Sequence, residues 1–194
     1  MAEAALKHIS AEEYFAMEET AFEKSEYYHG EIFAMSGASI HHNLIVANTI
    51  IAVGNALKDS CFVFPSDIKV ELDPGHHYAY PDISLVCGDI AFGQGRNDII
   101  TNPKVIIEVL SESTRNYDRG NKFAAYRQIQ SLSDYILIDQ YRVLAEHFTC
   151  KSRDNWELKI CRSAKDILVL DSVGISLALK DVYKNIPLET EDTE

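Results

Sequence analysis

Long hydrophobic runs are missing from this chain. No stretch approaches the ~18 apolar residues of a membrane-spanning helix, and Met1 to Lys7 lacks the apolar core of a secretory signal. A cytoplasmic protein with no membrane partner is the expectation. Cysteine is sparse and dispersed: Cys61, Cys87, Cys150 and Cys161 show no Cys-x-x-Cys spacing, which points to reduced core thiols rather than disulfides or zinc ligands. Positive charge is in deficit, with 18 Lys and Arg against 30 Asp and Glu and a net charge of −12. That balance opposes broad nonspecific binding to nucleic acid, although a compact basic patch or a loaded metal site acts locally whatever the net charge. No Gly-rich phosphate loop is present, since Gly93-Gln94-Gly95 has no following lysine. The pairs His41-His42 and His76-His77 match no zinc template, and Ser111 and Ser113 have no histidine nearby in sequence to activate them. Repeats and low-complexity segments are also lacking.

What remains is a chain of 194 residues, 46% hydrophobic, in which apolar segments alternate with turn signals. This reads as one domain with a real core and an acidic tail, disordered from about residue 187. Ser10 with Glu13 forms a capping box that opens a short helix. Residues 26–36 read as a hairpin turning at His29-Gly30. Ser39 to Leu57 carries apolar residues at helical spacing, which predicts a long and mostly buried helix. Strands are expected at 62–72, with a break near Pro65, at 78–87 and at 104–111, and the loop 88–103 holds a short strand at its start. A second helix follows over 114–130, then a strand at 134–140. Three further strands, at 142–150, 155–162 and 167–171, read as an antiparallel meander. The helix between strands 104–111 and 134–140 makes them a parallel pair, so the class is α/β with a mixed sheet.

Two carboxylates stand where such a chain would place apolar side chains: Asp82 in Tyr80-Pro81-Asp82, and Glu108 inside Val105-Ile106-Ile107-Glu108-Val109-Leu110. A buried ionised carboxylate demands a cation, a hydrogen-bond network or a raised pKa. A shared divalent metal answers for both at once, and Mg²⁺, held by one or two carboxylates plus water or phosphate oxygens, suits the donor set. In the second helix Lys122, Ala125, Tyr126 and Ile129 fall on one stripe, which aims Lys122 at the sheet. Arg115 and Arg119 extend that line backwards as a basic track for phosphate. Metal-holding carboxylates beside cations suit phosphodiester hydrolysis. A purely structural ion pair between Glu108 and Lys122 uses the same residues without metal.

Pro81-Asp82, Glu108-Val109-Leu110-Ser111, Ser113-Thr114, Asp118-Arg119-Gly120-Asn121-Lys122 and Tyr126, with Gly30-Glu31-Ile32, Met35-Ser36 and His41 upstream, resemble the Uma-two family of restriction-endonuclease-like proteins in the PD-(D/E)XK nuclease superfamily. The resemblance runs from about Tyr14 to Tyr183. It implies an αβββαβ restriction-endonuclease-like core, here with an N-terminal hairpin and appended C-terminal strands. It further implies an endonuclease acting on DNA, with Asp82 and Glu108 as Mg²⁺ ligands that would also accept Mn²⁺. Leu110 occupies the superfamily's usual lysine position, and Lys122 looks like its migrated replacement. Glu31 corresponds to an accessory acidic residue and His41 lies close behind it. The chain departs from the family at Glu112, where proline is usual, and in the turn Ser131 to Ile136. The alternative is a catalytically weak nuclease-fold module that binds protein partners or regulates another nuclease. A two-fold homodimer, which would set two sites against two strands, is expected in either case.

Overall fold

The computed structural model describes residues 8–35, 37–57 and 60–188, so the last six residues of the acidic tail lie outside it. Helix α1 (Ala11–Glu18) opens with the expected capping box: Ser10 Oγ accepts from Glu13 N at 3.1 Å and Glu13 Oε2 accepts from Ser10 N at 2.9 Å. Strands β1 (Ser25–Tyr28) and β2 (Glu31–Ala34) form the hairpin. Its two turn residues both take positive φ, 46° at His29 and 92° at Gly30, the combination a tight hairpin requires. Helix α2 (Ile40–Ala56) is capped by Ser39, whose Oγ accepts from His42 N. Only one face of α2 is buried, through Ile45, Thr49 and Val53. Ile40 and Ile51 stand 77% and 61% exposed, so the expectation of a mostly buried helix is corrected: apolar residues wrap around α2 but the sheet covers one side of it.

Among the described residues the strands form three sheets. The largest has the order β11-β10-β9-β8-β6-β3, built from β3 (Cys61–Pro65), β6 (Ile83–Cys87), β8 (Val105–Leu110), β9 (Asp134–Asp139), β10 (Ala145–Ser152) and β11 (Asn155–Cys161). Only β8 and β9 are parallel within it, with Glu108 opposite Leu137, as the crossover helix requires. A second sheet runs β2-β1-β5-β4-β7, adding β4 (Lys69–Asp73), β5 (His77–Ala79) and β7 (Ile99–Ile100) to the hairpin. Strands β12 (Ile167–Leu170) and β13 (Ile175–Ala178) pair with each other alone. The architecture is mixed α/β, with mixed sheets flanked by helices.

Several expectations about strands are corrected. The continuous strand at 78–87 is two strands on different sheets, parted at Tyr80-Pro81-Asp82, where Pro81 has no N–H to give a ladder. The strand at 62–72 breaks after Pro65 as expected, and its two parts lie in different sheets. The short strand in the 88–103 loop is β7, at its end rather than its start. The meander loses its third member, because β12 pairs with β13 instead of β11. Cys61 and Cys87 are not free thiols: they face each other across β3 and β6 and are joined by a disulfide. Sequence spacing could not show this, because the antiparallel register brings together residues 26 positions apart. Cys150 and Cys161 are free, as expected. Among the described residues no helix is long and apolar enough to cross a membrane.

Strand β8 is buried on both faces. Val105, Ile107 and Val109 join a core with α2 and β13, while Ile106 and Leu110 pack in a second core with Phe123, Tyr126 and Tyr135. Each large aliphatic side chain buried this way contributes about 1.5–3 kcal/mol. Glu108 shares the face of Ile106 and Leu110, so its carboxylate enters that second core.

Candidate active site

The antiparallel register of β6 and β8 runs out at Ile83 opposite Ile107, which puts Asp82 beside Glu108 one step further along. Two reciprocal hydrogen bonds lock them there. Asp82 N donates to Glu108 Oε2 at 3.2 Å, and Val109 N donates to Asp82 Oδ2 at 2.7 Å. Because Pro81 ends one sheet's strand and frees the next residue from its ladder, the backbone amide of Asp82 is available for the first of these bonds.

Lys122 reaches the pair from the helical segment that follows β8. Its Nζ lies 2.9 Å from Glu108 Oε1, 3.1 Å from Glu26 Oε1 and 3.9 Å from Asp118 Oδ1. The contact with Glu108 is a close ion pair to Oε1, the oxygen that Asp82 N does not meet. Glu26 Oε1 also accepts from Tyr80 N at 3.2 Å. Glu108, Asp118 and Lys122 are each less than 10% exposed.

The helix carrying Lys122 is not regular. Helix α3 (Arg115–Tyr117) gives way to a π-helical turn, Asp118–Lys122, before α4 (Phe123–Tyr126) resumes. Asp118 and Lys122 lie on the inner side of this wide turn, and Tyr135 Oη donates to the Asp118 carbonyl at 2.9 Å. The π turn breaks the stripe that periodicity extended backwards, and with it the expected basic track. Arg119 points away to β10, giving two hydrogen bonds to Glu146 at 2.9 and 3.0 Å. Arg115 lies over the Tyr141 ring, 5.6 Å from its centroid.

Burial drives the Glu108 pKa well above the ordinary carboxylate range. Lys122 opposes that rise, and the charges of Asp82 and Asp118 add to it. Asp118 is raised for the same reason, burial, again against the pull of Lys122. For Lys122 burial works against the ammonium, but Glu108, Glu26 and Asp118 outweigh it and hold its pKa well above the usual lysine value. An excess of acidic groups around one fixed ammonium is the consequence.

Of the residues singled out from sequence, Asp82, Glu108 and Lys122 come together. Glu31 and His41 do not join them. Glu31 is exposed on β2, and the inner place belongs to Glu26 on β1. His41 is displaced by its neighbour: His42, in the first turn of α2, sets Nε2 at 3.2 Å from Asp82 Oδ2. Sequence reasoning missed Glu26, His42 and Asp118. The i,i+4 spacing of Asp118 and Lys122 was a visible signal for one of them. For Glu26 no local signal exists, because its role depends on a sheet contact distant in sequence.

Beside His42 a cleft of about 480 Å³ opens, lined by Ser39, Ser111, Ser113, Gln140 and Tyr141 among others. Ser111 Oγ is 3.0 Å from Thr114 Oγ1 and accepts from Thr114 N, so it caps the turn after β8 and makes no bond to Glu108. Among the described residues no group of three or more His, Cys, Asp or Glu is arranged to hold a metal unaided. Asp82 and Glu108 nevertheless offer hard carboxylate oxygens side by side, and Mg²⁺ commonly takes only one or two carboxylates with the rest from water or phosphate. The donor set fits that ion.

Comparison with known proteins identifies the family. Residues 11–180 match the family model described as "Uma2: Putative restriction endonuclease". The uncharacterized protein slr1290 of Synechocystis sp. is 34% identical over 179 residues, covering 92% of this chain and 93% of that protein. A second uncharacterized Synechocystis protein, sll1609, is 35% identical over 159 residues, covering 81% of this chain and 90% of its own. The crystal structure of a protein described as a putative nuclease belonging to DUF820, from Anabaena variabilis, superposes with a TM-score of 0.73 at 17% identity, covering 90% of this chain and 97% of that one; it shares the fold. With its family match spanning Asp82 immediately before β6, the strand that carries Glu108 and the turn that carries Lys122, the chain belongs to the Uma2 family.

Proposed function

We propose that this chain is a magnesium-dependent endonuclease that hydrolyses DNA phosphodiester bonds, with Mn²⁺ able to substitute. The observation that carries the reading is the interlocked pair Asp82 and Glu108 with the Lys122 ammonium 2.9 Å from the Glu108 carboxylate. In hydrolysis a water oxygen bonds to phosphorus while one P–O ester bond breaks, the water releasing a proton and the departing oxygen gaining one. A bound Mg²⁺ would lower the pKa of that water and neutralise phosphate charge. Asp82 and Glu108 would hold the ion in place. Lys122, pinned by three carboxylates, is held at a fixed point where it would orient the attacking water or meet the growing charge on the phosphoryl oxygens. His42 and the Val109 amide fix the rotamer of Asp82, so the ligand geometry is set before substrate arrives.

The same ion pair would serve a purely structural role, and titration separates the two. Calorimetric addition of Mg²⁺ and Mn²⁺ should give binding in the wild-type protein and none in Glu108→Ala, and Lys122→Ala should bind metal yet lose DNA cleavage. Equal metal affinity in wild type and Glu108→Ala would sink the proposal.

A further inference from the structure

The basic side chains near the candidate site are nearly all committed. Lys122 is enclosed by Glu108, Glu26 and Asp118. Arg119 is held in a forked contact by Glu146, and Arg142 lies 3.6 Å from Asp139. Arg115 differs from these: among the described residues its guanidinium has no carboxylate partner, its Nε is buried without an acceptor, and it lies over the Tyr141 ring. The supply of cations at this centre is therefore enough for one phosphate and far short of the 6–10 or so that a duplex-tracking protein contacts.

The cleft beside His42 has complementary features. Its volume of about 480 Å³ falls in the range that holds a single small ligand, roughly 300–1,000 Å³. Hydroxyls of Ser111 and Ser113 and the ring of Tyr141, 47% exposed, line it. Glu112, exposed at the cleft, limits the anionic charge that the cleft takes. A second cleft, near Tyr80, differs in that its Lys69 and Arg96 are already paired with Glu18, Glu19 and Asp98.

We propose that the cleft beside His42 receives one unstacked nucleotide of a single strand or frayed end, its base stacked on the face of Tyr141 opposite Arg115 and its phosphate met by the hydroxyls of Ser111 and Ser113, with Arg115, which lies over the Tyr141 ring outside the cleft's lining, as the uncommitted cation beside it. The inference rests on the nuclease reading and specifies its substrate: single-stranded or unpaired DNA rather than intact duplex. Stacking on an aromatic ring is tolerant of base identity, so the site discriminates strandedness and not sequence.

The test measures fluorescence anisotropy of a labelled short oligonucleotide, single-stranded or annealed as a blunt duplex, with Mg²⁺ present, followed by cleavage of both. The single strand should bind more tightly and be the one cut. With one or two phosphates engaged, affinity should fall only about threefold to sevenfold between 50 and 200 mM salt. Tyr141→Ala should weaken binding by roughly fivefold to 150-fold, and Tyr141→Phe should restore it. A duplex bound or cut as well as the single strand, or with a steep salt dependence, overturns the inference and leaves the nuclease reading standing. Unchanged affinity in Tyr141→Ala also overturns it. No binding or cleavage of either form overturns both.

Discussion

Removing the Lys122 ammonium while keeping most of its stem, as in Lys122→Met, tests whether it is the cation that holds three carboxylates together. The attraction to the most distant of them, Asp118 at 3.9 Å, is about 4 kcal/mol at an effective dielectric of 20, and those to Glu26 and Glu108 are larger. Desolvation offsets most of this gain, and breaking such a pair from one side typically costs about 3–5 kcal/mol. For a chain of this size that corresponds to a fall in Tm of roughly 6–20 °C. The pH dependence has a definite sign. Glu108 and Asp118 already have folded-state pKa values raised above their unfolded values by burial, and without Lys122 they rise further. A carboxyl with a raised folded pKa contributes its stability below the unfolded pKa and loses it as pH climbs through the folded one. The variant should therefore be closest to wild type near about pH 5 and furthest from it at about pH 8. Lys122 itself, raised above the ordinary lysine pKa, keeps its own contribution throughout that window and loses it only in alkali. Urea unfolding at the two pH values measures the difference. Adding Glu108→Gln to Lys122→Met should recover at least about 1 kcal/mol at the higher pH, since one uncompensated charge is gone. A deficit equal at both pH values, or larger in acid, would refute the reasoning.

Reduction of the Cys61–Cys87 disulfide, which closes a loop between residues 26 apart, should lower unfolding free energy by about 2–4 kcal/mol in urea with dithiothreitol; an unchanged midpoint would show that the bond does not form. Gly30→Ala should destabilise by more than about 1 kcal/mol, because φ there is +92° and a Cβ would stand 2.5 Å from the His8 ring; thermal melts within error of wild type would contradict this.

The elements legible in sequence are those whose signals are local. The hairpin followed from His29-Gly30, the start of α1 from a capping box, and the parallel pairing of β8 and β9 from the helix between them. Partition of strands between sheets was not legible. Periodicity within 78–87 is continuous, and only pairing partners far away in sequence decide that β5 joins β1 and β4 while β6 joins β3 and β8. The disulfide was hidden by the same non-locality.

The site shows where periodic reasoning stops. Glu108 was visible because a charge inside an apolar strand conflicts with its surroundings, and Asp82 because proline marks the strand break beside it. Lys122 was visible as the lysine on an apolar stripe. Extending that stripe to Arg119 and Arg115 assumed 3.6 residues per turn, and the π turn at Asp118–Lys122 invalidates the assumption. In its place the wide turn sets Asp118 within 3.9 Å of Lys122 and sends Arg119 to Glu146. The irregular turn thus converts a basic track into a single caged ammonium with acidic groups around it. On the proposed reading a centre so organised would take a cation before further phosphates, which is why the metal titration and the salt dependence of DNA binding bear on the same structural fact.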